Sequence, residues 1–210
     1  SACSRVYVER PVAEALREQL VRRTAAISVG DPTLAAHWMG PVINAAAAQR
    51  YRRAVDDLHR EGQVVCGGQL LDEGALARGH FVAPTVATAP YGHRLWRDEL
   101  FLPLVLVGEV DSLDEAITRA NDSDYGLTAG FYGAADEIAT FHQRIEAGVT
   151  YVNRPQGATT GAWPGYQPFG GWKGSGSTGK AIAWSLHQAV QGLQRSSCLL
   201  ITRRQSHHWT

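Results

Sequence analysis

Apolar and polar positions along this chain follow two rhythms, and the switches between them mark out elements. Arg5 to Val8 is rich in strand-forming residues. Val12, Leu16, Leu20 and Ile27 then recur at helical spacing, with Pro11 where a first helical turn tolerates it. Gly30-Asp31-Pro32 breaks that segment. Ala45 to Glu61 reads as a second helix with a strongly charged face, stopped at Gly62, and Gln63 to Cys66 as a short strand ending at Gly67-Gly68.

The alternation continues. His80 to Val86 and Leu104 to Val110 read as strands, and Ser112-Leu113-Asp114-Glu115 is a capping-box pattern opening a helix that ends near Asn121. Leu127 to Tyr132 returns to strand, Ala135 to Glu146 to helix, and Val149 to Asn153 to strand. Strand and helix in turn predict an α/β layered fold with a largely parallel sheet. The stretch from Arg154 to Lys180 departs from both rhythms. It is rich in glycine and proline, yet Trp163, Tyr166, Phe169 and Trp172 make it too aromatic for a simple linker.

Composition narrows the partners. Twenty basic residues balance twenty acidic ones, so no net field favours nucleic acid or a membrane surface. No apolar run nears the roughly 20 residues that span a bilayer, and no basic-then-apolar leader opens the sequence. Cys3, Cys66 and Cys198 are far apart and outside Cys-x-x-Cys spacing, which fits a reducing compartment, so a cytoplasmic location is expected. The eight histidines form no metal-ligand spacing with them, the His207-His208 pair included, and no metal is expected.

Two glycine-rich readings compete near the end. Gly174 to Lys180 nearly matches a phosphate-binding loop, but Ala181 stands where a magnesium-binding hydroxyl belongs. Gln167-Pro168-Phe169-Gly170-Gly171-Trp172-Lys173-Gly174-Ser175-Gly176 matches another pattern far better. It resembles the Pro-Phe-Gly-Gly-x-Lys-x-Ser-Gly signature of aldehyde dehydrogenases. Further blocks of that family follow its order: Ser1-Ala2-Cys3-Ser4-Arg5, Gly40-Pro41-Val42-Ile43, Phe81-Val82-Ala83-Pro84-Thr85-Val86, Asp98-Glu99-Leu100-Phe101-Leu102-Pro103, and Ala120-Asn121-Asp122-Ser123-Asp124-Tyr125-Gly126-Leu127.

The resemblance implies a three-layer α/β catalytic domain over residues 1–180, with residues 181–210 as a C-terminal helix, strand and tail. The family's Gly-rich cofactor domain and water-activating Glu would lie upstream. So would its nucleophilic Cys, one residue before Ser1, which leaves Cys3 three positions past it. The isolated chain is accordingly expected to be inactive. NAD, with NADP as the alternative, is the implied cofactor. Glu99 matches the glutamate that binds the nicotinamide-ribose hydroxyls, and Phe101 the aromatic beside it; an exposed carboxylate is the plainer reading of Glu99. The family commonly has Gly where Leu102 stands, so the local backbone is expected to differ.

The substrate end resembles the subgroup acting on L-glutamate 5-semialdehyde (pyrroline-5-carboxylate), the last step of proline catabolism. There, Ser1, Gly161 and Ala162 match the positions that hold the substrate's carboxylate, and Phe169 the ring over its carbon chain. Asn153 matches a site-wall position, or is simply a strand-end turn residue. The implied partner is a small aldehyde carrying a carboxylate, and the parent enzyme a homo-oligomer. The competing reading is a non-catalytic relative that binds a carboxylate ligand or pairs with other subunits.

Overall fold

A computed structural model describes residues 3–154, 170–176 and 198–202, the last as backbone. The chain divides into two compact units: residues 14–108, and residues 1–13 with 109–210.

In the 14–108 unit, helix α2 (Ala45–Glu61) follows the end of α1 (Arg10–Ala25) and is bounded by chemistry visible in the sequence. Asn44 caps it, its side chain accepting from Ala47 N at 2.9 Å, and the Gly62 N–H closes the other end on Leu58 O at 2.9 Å. Tyr51, Ala54, Val55 and Leu58 turn one buried face toward strands β2 (Gln63–Cys66) and β4 (Phe81–Val82). The short β3 (Leu70–Leu71) pairs antiparallel with β4. Next along the chain, β5 (Thr85–Thr88) pairs antiparallel with β2 and parallel with β6 (Leu104–Val110).

The Tyr51 hydroxyl is the hub of this unit. It donates to Ala83 O at 2.7 Å, lies 2.7 Å from Thr85 Oγ1, and accepts from Gly68 N at 3.0 Å. Its neighbour Gly67 has φ +80 and lies so close to Pro84 that a Cβ would come within 2.1 Å of a carbonyl oxygen. The strand expected from His80 to Val86 is therefore two strands, parted at Ala83-Pro84, because Pro84 cannot donate to a ladder. Cys66 is half-buried and has a free thiol.

The other unit is built on parallel strands. Strand β1 (Cys3–Glu9) pairs with β11 (Cys198–Thr202), β11 with β8 (Thr128–Tyr132), and β8 with β9 (Val149–Val152), all parallel. Helix α3 (Leu113–Asn121) packs on β1 and β11. Its N-cap is Ser112, accepting from Glu115 N at 3.1 Å, while Glu115 accepts from Asp111 N at 2.9 Å, one residue earlier than a strict capping box. Tyr7 is buried and its hydroxyl donates to Arg119 O at 3.2 Å; burial pushes that phenol's pKa up.

The helix expected from Ala135 to Glu146 begins as a 3-10 turn, Ala135–Glu137, and continues as α4 (Ile138–Arg144). It ends early because Ile145 is extended and buried. Phe141 on α4 stacks on Phe131 of β8 with ring centroids 5.1 Å apart. The signature segment supplies β10 (Trp172–Lys173), antiparallel to β7 (Tyr125–Gly126). No described helix is long and apolar enough to cross a membrane.

Candidate functional site

The Glu99 loop, in the 14–108 unit, begins as β5 gives way to Pro90. Tyr91 and Trp96 pack with ring centroids 5.1 Å apart, and Trp96 Nε1 donates to Ala89 O and Pro90 O at 3.2 and 3.1 Å. Gly108 admits both rings, since a Cβ there would lie 2.6 Å from Tyr91 Oη. A 3-10 turn, Arg94–Trp96, follows; His93 caps it by accepting from Leu95 N at 3.3 Å.

That turn is held on its outer side by charge. Arg94 Nε donates to Asp57 Oδ2 on α2 at 3.0 Å, and its Nη1 to Asp98 Oδ2 at 2.6 Å. The second oxygen of Asp57 accepts from Arg60. The Arg94 hydrogen bond holds the Asp57 carboxyl below the usual carboxylate range; the same bond raises the guanidinium's pKa.

Beyond Asp98 the backbone folds so that neighbouring side chains face different surroundings. Glu99 is half-buried, with both carboxylate oxygens shielded from solvent. Phe101 has φ +53 and is 64% exposed. Leu102, which stands where the family commonly has Gly, does not have a positive φ; the left-handed residue of this turn is Phe101. Left-handed backbone costs a bulky residue about 1–2 kcal/mol, and such strain clusters at functional sites. Leu104 N then bonds Leu102 O at 2.8 Å and Thr85 N bonds Pro103 O at 2.9 Å, which returns the chain to β6.

In the other unit, two sequence blocks far apart in the chain meet. Ser175 is fully buried, and its hydroxyl accepts from Gly126 N at 3.0 Å. Gly174 N donates to Asp124 O at 2.8 Å and Ser175 N to Trp172 O at 3.1 Å. These engaged amides argue against a phosphate cradle here, and Lys180 lies outside the described residues. Lys173 has φ +55; its ammonium binds Asn121 O and pairs with Glu146. Asn121 completes the knot by donating to Arg144 O at 2.8 Å and accepting from Glu146 N at 2.9 Å.

Asn153, at the end of β9, also has positive φ, +51. Its side chain accepts from Gly133 N at 3.1 Å and donates to Gly133 O at 3.0 Å. Both amide functions thus bridge to the backbone of Gly133, just past the end of the neighbouring strand β8.

The structure therefore brings Glu99 and Phe101 together in one loop and places Asn153 on the other unit. Ser1, Gly161, Ala162 and Phe169 lie outside the described residues. Arg94 and the left-handed φ of Phe101 escape sequence reasoning. The i, i+4 spacing of Arg94 and Asp98 was a usable signal; the link to Asp57 was not. Cys3 donates its thiol to Arg5 O at 3.3 Å.

Comparison with known proteins gives consistent relatives. A model of the aldehyde dehydrogenase family matches residues 1–192. A 1-pyrroline-5-carboxylate dehydrogenase from Bacillus licheniformis is 36% identical over 183 residues, covering 86% of this chain and 34% of the relative. The crystal structure of 1-pyrroline-5-carboxylate dehydrogenase from Thermus with bound NAD is 36% identical with a TM-score of 0.77, over 86% of this chain and 34% of that one. A point mutant of betaine aldehyde dehydrogenase from Staphylococcus aureus, in complex with NAD⁺, is 29% identical with a TM-score of 0.74, over 85% and 36%. The chain spans 34–36% of the length of these relatives.

Proposed function

We propose, for a chain that belongs to the aldehyde dehydrogenase family, that it serves the NAD(P)-dependent oxidation of L-glutamate 5-semialdehyde to glutamate, the closing step of proline catabolism. The observation that carries this reading is the Glu99 loop: an exposed aromatic ring on strained backbone, two residues from a carboxylate withdrawn from water. Folding alone gains nothing from exposing Phe101 at that cost. A ligand with a flat ring and a vicinal diol would use both features. A pair of acceptor oxygens beside an aromatic ring thus fits the nicotinamide-ribose end of NAD(P).

Glu99 would hold the ribose hydroxyls through its two oxygens, in surroundings dry enough to strengthen those bonds. Phe101 would confine the nicotinamide beside it. When bound, NAD(P)⁺ supplies the hydride acceptor. Ser1, Gly161 and Ala162 would present a hydroxyl and two backbone amides to the substrate carboxylate, with Phe169 over its carbon chain. Cys3 is not assigned the nucleophile's role, because its thiol is engaged with a backbone carbonyl. The subgroup choice is supported by the 36% identity to 1-pyrroline-5-carboxylate dehydrogenases.

The test is steady-state NADH formation by the full-length protein, with glutamate semialdehyde against a plain aliphatic aldehyde. A site built for a carboxylate should favour the former by up to about 10⁴ in kcat/KM. Glu99→Gln should weaken cofactor binding roughly ten- to hundredfold, the worth of one charge-assisted bond, and leave the aldehyde KM alone. Preference for the uncharged aldehyde would overturn the subgroup, and wild-type cofactor binding in Glu99→Gln would return Glu99 to a surface role.

A further inference from the structure

The turn that carries Glu99 and Phe101 is strained, and strained backbone persists only where its surroundings over-determine it. Two kinds of support reach it. On the inner side, buried Leu95 and Trp96 anchor the preceding 3-10 turn. On the outer side, Arg94 spans from α2 to the residue just before Glu99. Asp98 is held twice by Arg94: its backbone N–H bonds Arg94 O at 3.0 Å, and its carboxylate accepts from Nη1 at 2.6 Å. The other edge of the same guanidinium grips Asp57 through Nε at 3.0 Å and through Nη2.

We propose that Arg94 is a positioning residue for the nicotinamide-side contacts, fastening the Glu99–Phe101 turn to α2 through Asp57. The proposal rests on the reading of Glu99 and Phe101 given above. A guanidinium suits the task because its donors are fixed in one plane, so holding one carboxylate orients the other. A lysine ammonium is a point charge and cannot impose that angle. Asp57 is the firm end of the bridge: its side chain is 18% exposed, against 46% for Asp98, and it sits on a regular helix. The depressed pKa of Asp57 agrees with a bridge that stays ionised at neutral pH.

The experiment measures NAD binding to the full-length protein by calorimetry, without turnover. Arg94→Met should raise the Kd for NAD roughly three- to thirtyfold, the span for residues that act through a network. Arg94→Lys should recover only part of that loss. The aldehyde KM should stay close to wild type, and the melting temperature should fall only by the small amount that the Asp57 bridge contributes. The double variant Arg94→Met with Glu99→Gln should lose less NAD affinity than the sum of the two single losses, since both act on one turn. Asp98→Asn tests the same bridge should Arg94→Met fail to fold, and should raise the Kd alike. Wild-type Kd in Arg94→Met or Asp98→Asn, with weakened binding in Glu99→Gln, would overturn the positioning role and leave the reading of Glu99 standing. Wild-type Kd in Glu99→Gln would overturn that reading instead. Additive losses in the double variant would also overturn the proposal, by separating Arg94 from Glu99.

Discussion

Phe101 and Lys173 adopt nearly the same unfavourable backbone, φ +53 and +55, each inside a block that identifies the family. Their side chains end differently. The Lys173 ammonium is tied to Asn121 O and Glu146, so its strain is repaid by contacts within the unit. The Phe101 ring faces solvent. One motif therefore closes on its own unit and the other leaves its aromatic residue exposed, although both look equally specific as strings of residues. Asn153 falls with Lys173, because its amide closes on Gly133.

The sharpest test of that contrast is steric. Gly126 lies in the signature knot, where a Cβ would come within 2.0 Å of Glu146 O, whereas Gly92, near the Glu99 loop, has nothing within 4 Å. Gly126→Ala should cost about 3 kcal/mol by overpacking against backbone. Gly92→Ala should stay within about 0.5 kcal/mol. Urea titration of the two variants reads both values; similar losses would erase the distinction.

A smaller effect separates the strained residues themselves. Phe101→Gly relieves about 1–2 kcal/mol of left-handed strain against about 0.5–1 kcal/mol of added chain entropy, for a stability unchanged or slightly raised. Lys173→Gly gains the same relief but loses the ammonium's contacts, and should fall by about 1 kcal/mol. Opposite signs in chemical denaturation support the comparison, and equal signs break it.

The smallest effect is acid sensitivity in the Arg94 bridge. The folded-state pKa of Asp57 is lowered below 3.8, first by its hydrogen bond to Arg94 and then by the charges of Arg94, Arg60 and His93 against the opposing cost of burial. A depressed carboxyl contributes stability that is full above its unfolded value and lost as pH falls through the folded one. Melting temperatures of wild type and Asp57→Asn should therefore differ at neutral pH and converge below about pH 4. A constant gap would place the stabilisation elsewhere.

Much of this was legible beforehand, for identifiable reasons. Helix α2 has its sequence-expected bounds because Asn44 and Gly62 punctuate it chemically. Strand β6 opens on the apolar run Leu104-Val105-Leu106-Val107, and α3 announces itself at Ser112. The split at Pro84 and the early end of α4 at Ile145 were not, because each depends on what the segment packs against. The site divides the same way. Glu99 and Phe101 could be found by motif, but Phe101's conformation could not, since a bulky residue is not expected at positive φ. Asp57 and Arg94 belong to different elements, and nothing local couples them.

Strand β11 carries a consequence for how the protein is made. It lies between β1 and β8 and parallel to both, with Cys198 in register with Cys3 and Thr128. Translation at about 5–20 residues per second separates the emergence of β1 from that of β11 by roughly 10–40 s. Once β8 has emerged, late in that interval, the nascent chain holds two strands whose shared neighbour does not yet exist. Open edges of this kind invite pairing with other chains. Ribosome pace and chaperone cover thus bear on the yield of this unit as much as the strength of its finished core.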